Sequence, residues 1–491
     1  MKSTLSGFES IRRALTASQM GLDVTGQNIA NVNTEGYTRQ KVDLSSIPSE
    51  SGSYRYAQIV AANVGGGVNA DGVSQIRDQF LDSRYIKENS NYNTYNTSTS
   101  ALQDIENIFD EVNTDGLHAR LSDFSVNLQT LSNNPDSMEF ANIMRSSAQK
   151  VTEVLNQYYD RLQEIKGQRI ADLTIIVDDA NTIVDKINSL NIEIKNQKLQ
   201  GQPSNELIDT RNSNIDKLSN YLNISVEGQA DGTVSIKSGD ISLLDSRNGQ
   251  TTTIALDSST FPIKIIKNDG SEFVISKGEI KGNLQILNGE GTFATAPGQD
   301  TYRGVPYYEK SINAFASAFA DTFNGLNTPL NSVVSKPLFE GDGSGNIDAS
   351  TIKVSSEWLS DAKYITTTTV VPAIEGVNEE GRNDNIMRMI DSMGSDIPIT
   401  SAFKGTFVEF ATSLMSDIAV DVNYNKDMTR TSELVLSSII DQRQSVTGVS
   451  LDEEAINMIR YQKSYSAAAR LMTALDEMLD TLINKTGIVG R

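Results

Sequence analysis

Both ends of this chain carry an apolar stripe that a single helix cannot bury, and nothing else in the sequence limits the fold as strongly. Near the start, Phe8, Ile11, Leu15, Leu22 and Ile29 follow alternating steps of three and four residues, and the repeat also passes through Thr4, Ser18 and Thr25. Near the end, Met458, Tyr461, Tyr465, Ala468, Met472, Leu475, Leu479 and Leu482 follow the same steps without a gap. A repeat averaging 3.5 residues is the seam of a supercoiled helix pair. A lone helix exposing such a stripe is marginal in water. Each end therefore needs a partner, either the other end or the ends of neighbouring copies. Ile456, Ile459, Leu471, Met478 and Ile483 lie beside the C-terminal seam and widen it. One partner helix cannot cover that width, which points to a helix packed among several neighbours. Sticky termini suit an assembly subunit better than an enzyme.

Charge and composition exclude several functions. The chain holds 42 basic and 63 acidic side chains, so its net charge is 42 − 63 = −21. No run of Lys or Arg makes a local basic patch, which argues against nucleic acid. No stretch approaches the length of apolar sequence that crosses a membrane, and no short apolar run follows the start as a cleavable signal peptide would require. The chain has no cysteine, so thiolate chemistry and cysteine metal sites are out. Its one histidine, His118, sits between Leu117 and Leu121 in a helical pattern and reads as an ordinary helix residue. Adjacent acids such as Asp178-Asp179 and Glu453-Glu454 point about 100° apart on a helix and do not face each other. The stretch from Gly341 to Asp348 spaces oxygen ligands, but Ile347 replaces the calcium-loop glycine and Lys353 the closing glutamate. It reads as a turn. No catalytic, cofactor or metal site emerges. A carboxylate-based wall hydrolase is the enzymatic rival, and no acid pair supports it.

Hydrophobic content of 38% is below that of compact domains and suggests an elongated molecule. The predicted first helix runs from residue 4 to about 32, with Ser6 and Glu9 at capping-box spacing or Thr4 as cap. An extended stretch covers 37–73, turning at Gly65-Gly66-Gly67. Helical periodicity dominates from Ser74 to Leu222, with a long piece from Ser137 to Gln200. Short strand-like runs follow at Ile224–Val226, Thr233–Ile236, Thr252–Leu256, Ile263–Ile266 and Phe273–Ile275. Asp231-Gly232, Asn248-Gly249 and Asp269-Gly270 between them favour tight turns. Tyr302–Leu326 is helical. Thr-rich strands are expected around Ile365 to Val371. Phe403–Val446 is helical, and Ser450 with Glu453 makes a second capping box before the last helix. The fold class is mainly α with inserted β-rich domains, an elongated nested rod. Residues 1–34 and 450–491 form paired terminal helices, an α-helical coiled coil. Residues 35–222, 301–327 and 401–449 form a helical bundle. Residues 223–300 and 328–400 form a β-rich outer tip.

The stretch Asn28-Ile29-Ala30-Asn31-Val32-Asn33-Thr34-Glu35-Gly36-Tyr37-Thr38-Arg39-Gln40 resembles the N-terminal signature of the flagellar axial proteins, the rod, hook and hook-associated family. Within it, Gly36 to Gln40 is similar to the FlgK family of hook–filament junction proteins. Ser445 to Ala455 and Tyr461 to Arg470 resemble the C-terminal segment of that family, and Asn205–Val226 and Gly381–Ile390 look like it too. The remaining middle, 223–300 and 328–380, matches only in character. The residues themselves give Asn28, Asn31, Asn33, Gly36 and Tyr37 a local role, a fixed corner after the first helix, because Asn and Gly tolerate left-handed backbone. The resemblance implies a non-enzymatic flagellar subunit without cofactors. It would form a ring with copies of itself at the hook–filament junction, outside the cell, contacting hook protein and the second junction protein. It would be exported without a cleaved signal, after an export chaperone had bound its C-terminal helix. Other axial proteins, the hook, distal rod or second junction protein, are the alternative within the same resemblance.

Overall fold

The computed structural model describes residues 4–47, 66–109, 116–201, 204–296, 299–328, 335–343, 346–369 and 381–485. Its spine is α4 (Met138–Leu199), 62 residues and roughly 93 Å long. One glycine and no proline lie within it, and Ser137 caps it by accepting the Phe140 N–H. The two halves of α4 bury their inner faces in two different cores. Ala141 to Leu162 belong to the first and Leu173 to Ile187 to the second.

The first core surrounds α7 (Val305–Asn327). Phe315, Phe319 and Phe323, at helical spacing, meet Phe124 of α3 (Leu117–Asn133) and Phe407 at the start of α10 (Phe407–Thr447). Phe339 and Trp358 close the same cluster. The phenylalanines of this helix organise the core. Beside it α2 (Gln79–Ile108) and α10 run antiparallel, since Thr99 bonds Thr429 and Asp82 bonds Arg443.

The second core holds α5 (Asn205–Tyr221) and the β-layer. Strands β3 (Ser225–Gly228), β4 (Val234–Ser238), β5 (Ile241–Asp245) and β6 (Gln250–Thr251) form one antiparallel sheet in chain order. Strands β7 (Ile254–Asp257) and β8 (Lys264–Lys267) form a separate hairpin, and α6 (Glu279–Asn288) leads back to α7. The three expected turn pairs place Gly232, Gly249 and Gly270 at φ of 91°, 67° and 77°, which glycine adopts without a Cβ clash. Phe273 and Ile275 are buried but lie outside any strand.

Residues 335–400 differ from the expected β-rich tip. Their regular structure among the described residues is slight: two-residue pairs β9 (Phe339–Glu340) with β10 (Lys353–Val354), α8 (Ser356–Ser360), α9 (Asp384–Met393), and β11 (Ile397–Pro398) with β12 (Lys404–Gly405). Leu338, Trp358, Ile365, Ile386 and Met389 are buried in the first core with the bundle helices. The Thr-rich strands do not form at Ile365–Thr369. Thr366 N–H donates to Asn327 Oδ1 and Thr369 N–H to Asp384 Oδ2, so side chains take the bonds a neighbouring strand would need. Asp348 Oδ1 accepts the N–H groups of Ser350 and Thr351, so the oxygen-rich loop turns its acid onto its own backbone.

The expected caps also change. Helix α1 (Thr4–Ala30) already contains Ser6, and Glu9 is held by Arg12 and Arg13. Those guanidinium hydrogen bonds lower the Glu9 carboxyl to about 2. The complete capping box is at Thr406 and Glu409, ahead of α10.

Replacing Phe319 by Ala removes the ring that touches Phe124, Phe315, Phe323, Phe339 and Phe407. The expected cost is about 3–5 kcal/mol, read by denaturant unfolding of the full chain.

Candidate functional site

Helices α1 and α11 (Leu451–Asp480) pack antiparallel. A Cβ placed on Gly7 would meet Leu475 Cδ1 at 3.3 Å, and one on Gly21 would lie 2.6 Å from the Tyr461 ring. Seven residues beyond Gly21, Asn28 Nδ2 donates to Glu454 Oε2 at 3.2 Å. Positions 7, 21 and 28 thus face 475, 461 and 454, and the two helices keep one heptad register throughout. The centre of the α1 face is small or polar. Ala17, Ser18, Gly21, Thr25 and Asn28 are its buried residues.

This shifts half of the expected seam. Phe8, Leu15, Leu22 and Ile29 each follow a facing position by one residue, so they lie 100° round the helix on one flank and are only half-buried. Ile11 stays near the centre, also half-buried. On α11, Tyr461, Met472, Leu475 and Leu479 are half-buried and Ala468 is buried, while Met458 and Tyr465 are 38% and 40% exposed. Leu482 lies past α11 and is exposed, as are Ile456, Ile459, Leu471, Met478 and Ile483. The other flank of α1 is covered by a hairpin of β1 (Gln40–Ser46) and β2 (Val68–Gln75), where a Cβ on Gly67 would lie 2.7 Å from Ser10 Oγ. Ile47 N–H donates to Gly67 O and Gly66 N–H to Ile47 O, closing that hairpin. Gly65 of the expected turn is outside the described residues.

The expected corner is the joint between this helix pair and the bundle. Asn28 is 1% exposed. Its Oδ1 accepts the Gln40 N–H at 3.0 Å and the Tyr37 hydroxyl at 2.8 Å, and its Nδ2 donates to Gln40 O at 2.9 Å. Gly36 makes the bend at φ 80°. Asn31 and Asn33 do not join them. Asn31 bonds back to Gln27 O and Asn33 is exposed.

Residues outside the expected motif complete the joint. Arg39 Nε donates to Glu454 Oε1 and its Nη1 to Glu453 Oε2, while Arg39 N–H donates to Thr447 O at the end of α10. Glu453 therefore serves an ion pair as well as the helix start, where Ser450 accepts its N–H at 3.5 Å. Thr38 N–H and Gln75 Nε2 donate to Asp209 of α5. Arg443 of α10 bridges Asp82 and Asp216, both at 2.8 Å, and lies over the Tyr85 ring. Burial pushes the Asp216 and Asp209 carboxyls up against these donors. Burial also opposes the Arg443 charge, but Asp216 and Asp82 outweigh it and hold its pKa up. Tyr37 rises to about 12, first through burial and then through Asp209, Glu206 and Glu454. Arg39 and Gln40 adjoin the motif and Glu454 adjoins Glu453, so a local signal existed for them. Asp209 lies in the Asn205–Val226 stretch that resembles the family, and Arg443 carries no local signal.

Among the described residues no group of three or more His, Cys, Asp or Glu side chains could hold a metal. No described helix is long and apolar enough to cross a membrane. The joint is a polar clamp, and what the helix pair offers outward is apolar surface.

Residues 102–329 match the family model of the flagellar hook-associated protein FlgK helical domain. Residues 9–38 match that of a flagella basal body rod protein, and 441–485 that of the flagellar basal body rod FlgEFG protein C-terminal. The chain is 30% identical to flagellar hook-associated protein 1 of Bacillus subtilis over all of both chains. It is 23% identical to the protein of the same name from Escherichia coli, covering 96% of this chain and 98% of that one. The flagellar hook junction protein FlgK from Burkholderia pseudomallei shares the fold, with a TM-score of 0.58 at 12% identity, over 74% of this chain and 100% of that one.

Replacing Asn28 by Ala strips partners from Gln40, Tyr37 and Glu454, and denaturant unfolding is expected to show a loss of about 1–3 kcal/mol. The Tyr37 pKa rises from 10.0 to about 12, so its stabilising contribution is complete below pH 10 and is lost as pH rises through 12. Tyr37→Phe is expected to flatten this alkaline loss in a pH series of unfolding midpoints.

Proposed function

This chain belongs to the family of flagellar hook-associated protein 1, and we propose that its terminal helix pair is the face through which copies join one another. It is a structural subunit of the bacterial flagellum at the hook–filament junction. The observation that carries the assembly reading is the uncovered apolar surface of α1 and α11. Positions that follow the facing residues on two antiparallel helices fall on the same side of the pair. Phe8, Leu15, Leu22 and Ile29, one residue past facing positions, and Met458, Tyr465, Met472 and Leu479, four residues past them and so only about 40° round α11, lean to the same side, away from the hairpin. Ile456 and Ile459, 66% and 57% exposed, lie on the far face of α11. Burying such surface between copies drives association.

In this reading the subunits close into a ring that adapts hook to filament, touching hook protein on one side and the second junction protein on the other. Asn28, Tyr37, Arg39 and Glu454 hold the helix pair at a set angle to the bundle, so the angle is transmitted along the ring. The chain reaches the outside escorted by a chaperone on its C-terminal helix. The role is structural and requires no catalysis.

The test substitutes charge on the uncovered side, Leu22→Asp with Tyr465→Asp, and follows cells and purified chain together. Circular dichroism and unfolding midpoint are expected to stay near those of the parent, because neither residue lies in the bundle cores. Hooks are expected to remain, with filament protein shed into the medium. Normal filaments on these cells would refute the assembly face.

A further inference from the structure

Arg211 on α5 is a buried cation without a counter-charge. It is 6% exposed. Its Nη1 donates to Gly232 O at 2.6 Å and to Asn191 Oδ1 at 3.3 Å, and its Nε has no hydrogen-bond partner. Among the described residues no carboxylate pairs with it. Asp209, two residues before it, falls about 200° round the helix and is engaged by Thr38 and Gln75. The neighbouring arginines differ in this respect: Arg77 holds Asp82, and Arg443 holds Asp82 and Asp216. Burial, with added repulsion from Arg77, lowers the Arg211 pKa to about 10. A charge taken out of water and left with only neutral oxygens is costly.

Arg211 and Arg77 both line a cavity of about 400 Å³ between α5, the first turn of α2 and the β3–β4 turn. Gln79 and Gln229 supply neutral amide donors on its walls, whereas the Ser83 and Thr233 hydroxyls already donate to Gln79 O and Asp231 Oδ1. The two acids that also line it, Asp82 and Asp216, are the ones already held by arginines.

We propose that this cavity binds a small tetrahedral oxyanion, sulfate or inorganic phosphate, which pairs with the buried Arg211 guanidinium. The anion would give the Arg211 guanidinium the charged partner it lacks and tie α5 and α2 to the β-layer. This proposal stands apart from the assembly face and does not need it.

The test uses the full chain at low ionic strength. Sulfate and inorganic phosphate are titrated separately by calorimetry, and thermal unfolding is followed against chloride at matched ionic strength. At ten times the dissociation constant the folding constant is expected to rise roughly tenfold. Because sulfate stabilises proteins in general, the readout is the difference from Gln229→Glu. That substitution, at a half-buried position, adds a tethered carboxylate at the cavity and leaves the buried arginines in place. Gln229→Glu is expected to fold normally and to lose the response to both anions. Arg211→Gln, if folded, is expected to lose it too. An equal response in the parent and Gln229→Glu, a retained response in folded Arg211→Gln, or no response of the parent beyond that to chloride would overturn the proposal.

Discussion

The hydrogen bond between Asn28 and Glu454 joins residues 426 positions apart, and the rest of the molecule is arranged around that closure. Everything between them must leave the joint and return to it. Helices therefore come in antiparallel partners, α1 with α11 and α2 with α10, nested one inside the other. The entropy of closing so long a loop grows only with the logarithm of its length. A dense set of charge-assisted bonds from Arg39 and Arg443, each stronger than a neutral one, offsets that cost at the point of closure.

Two kinds of packing divide the labour. Inside the bundle, bulky rings interlock around α7, where Phe315, Phe319 and Phe323 are wholly buried. Between the terminal helices the contact is made by Gly7, Gly21, Ser18 and Thr25, which let the backbones approach and leave the large side chains at the edge. The first arrangement completes itself within one chain. The second leaves apolar surface uncovered, as suits a part of the molecule that works between copies. α4 spans both halves of the bundle, so a force applied at one core reaches the other through a continuous helix.

Much of this was legible in the residues. The 3.5-residue repeat announced the helix pair, the long periodic run announced α4, and the Asp-Gly and Asn-Gly pairs announced the turns. Asn28, Gly36 and Tyr37 were recognisable as a corner because their chemistry is local. Among the described residues of 328–400 the expected strands shrink to two-residue pairs, because threonine runs favour strands only when a neighbouring strand is free to pair. Here Asn327 and Asp384 take those backbone donors instead. Ser450 does cap the last helix at the Glu453 N–H, but the ion pair of Glu453 was not legible, since Arg39 arrives from more than 400 residues away.

Periodicity, turn chemistry and charge are properties of neighbours along the chain, so the sequence by itself determined the long helices and that the ends must pair, while the short α6 and α9 lie in segments that read as β-rich. Which stripe faces the partner was decided only in three dimensions. A heptad of Gly7, Ala14, Gly21 and Asn28 carries no apolar signal, yet close approach of two backbones selects small residues and turns Phe8, Leu15, Leu22 and Ile29 outward. The same holds for Asp209, Arg211 and Arg443. Their roles depend on what the fold brings beside them, and nothing in their own segments encodes it.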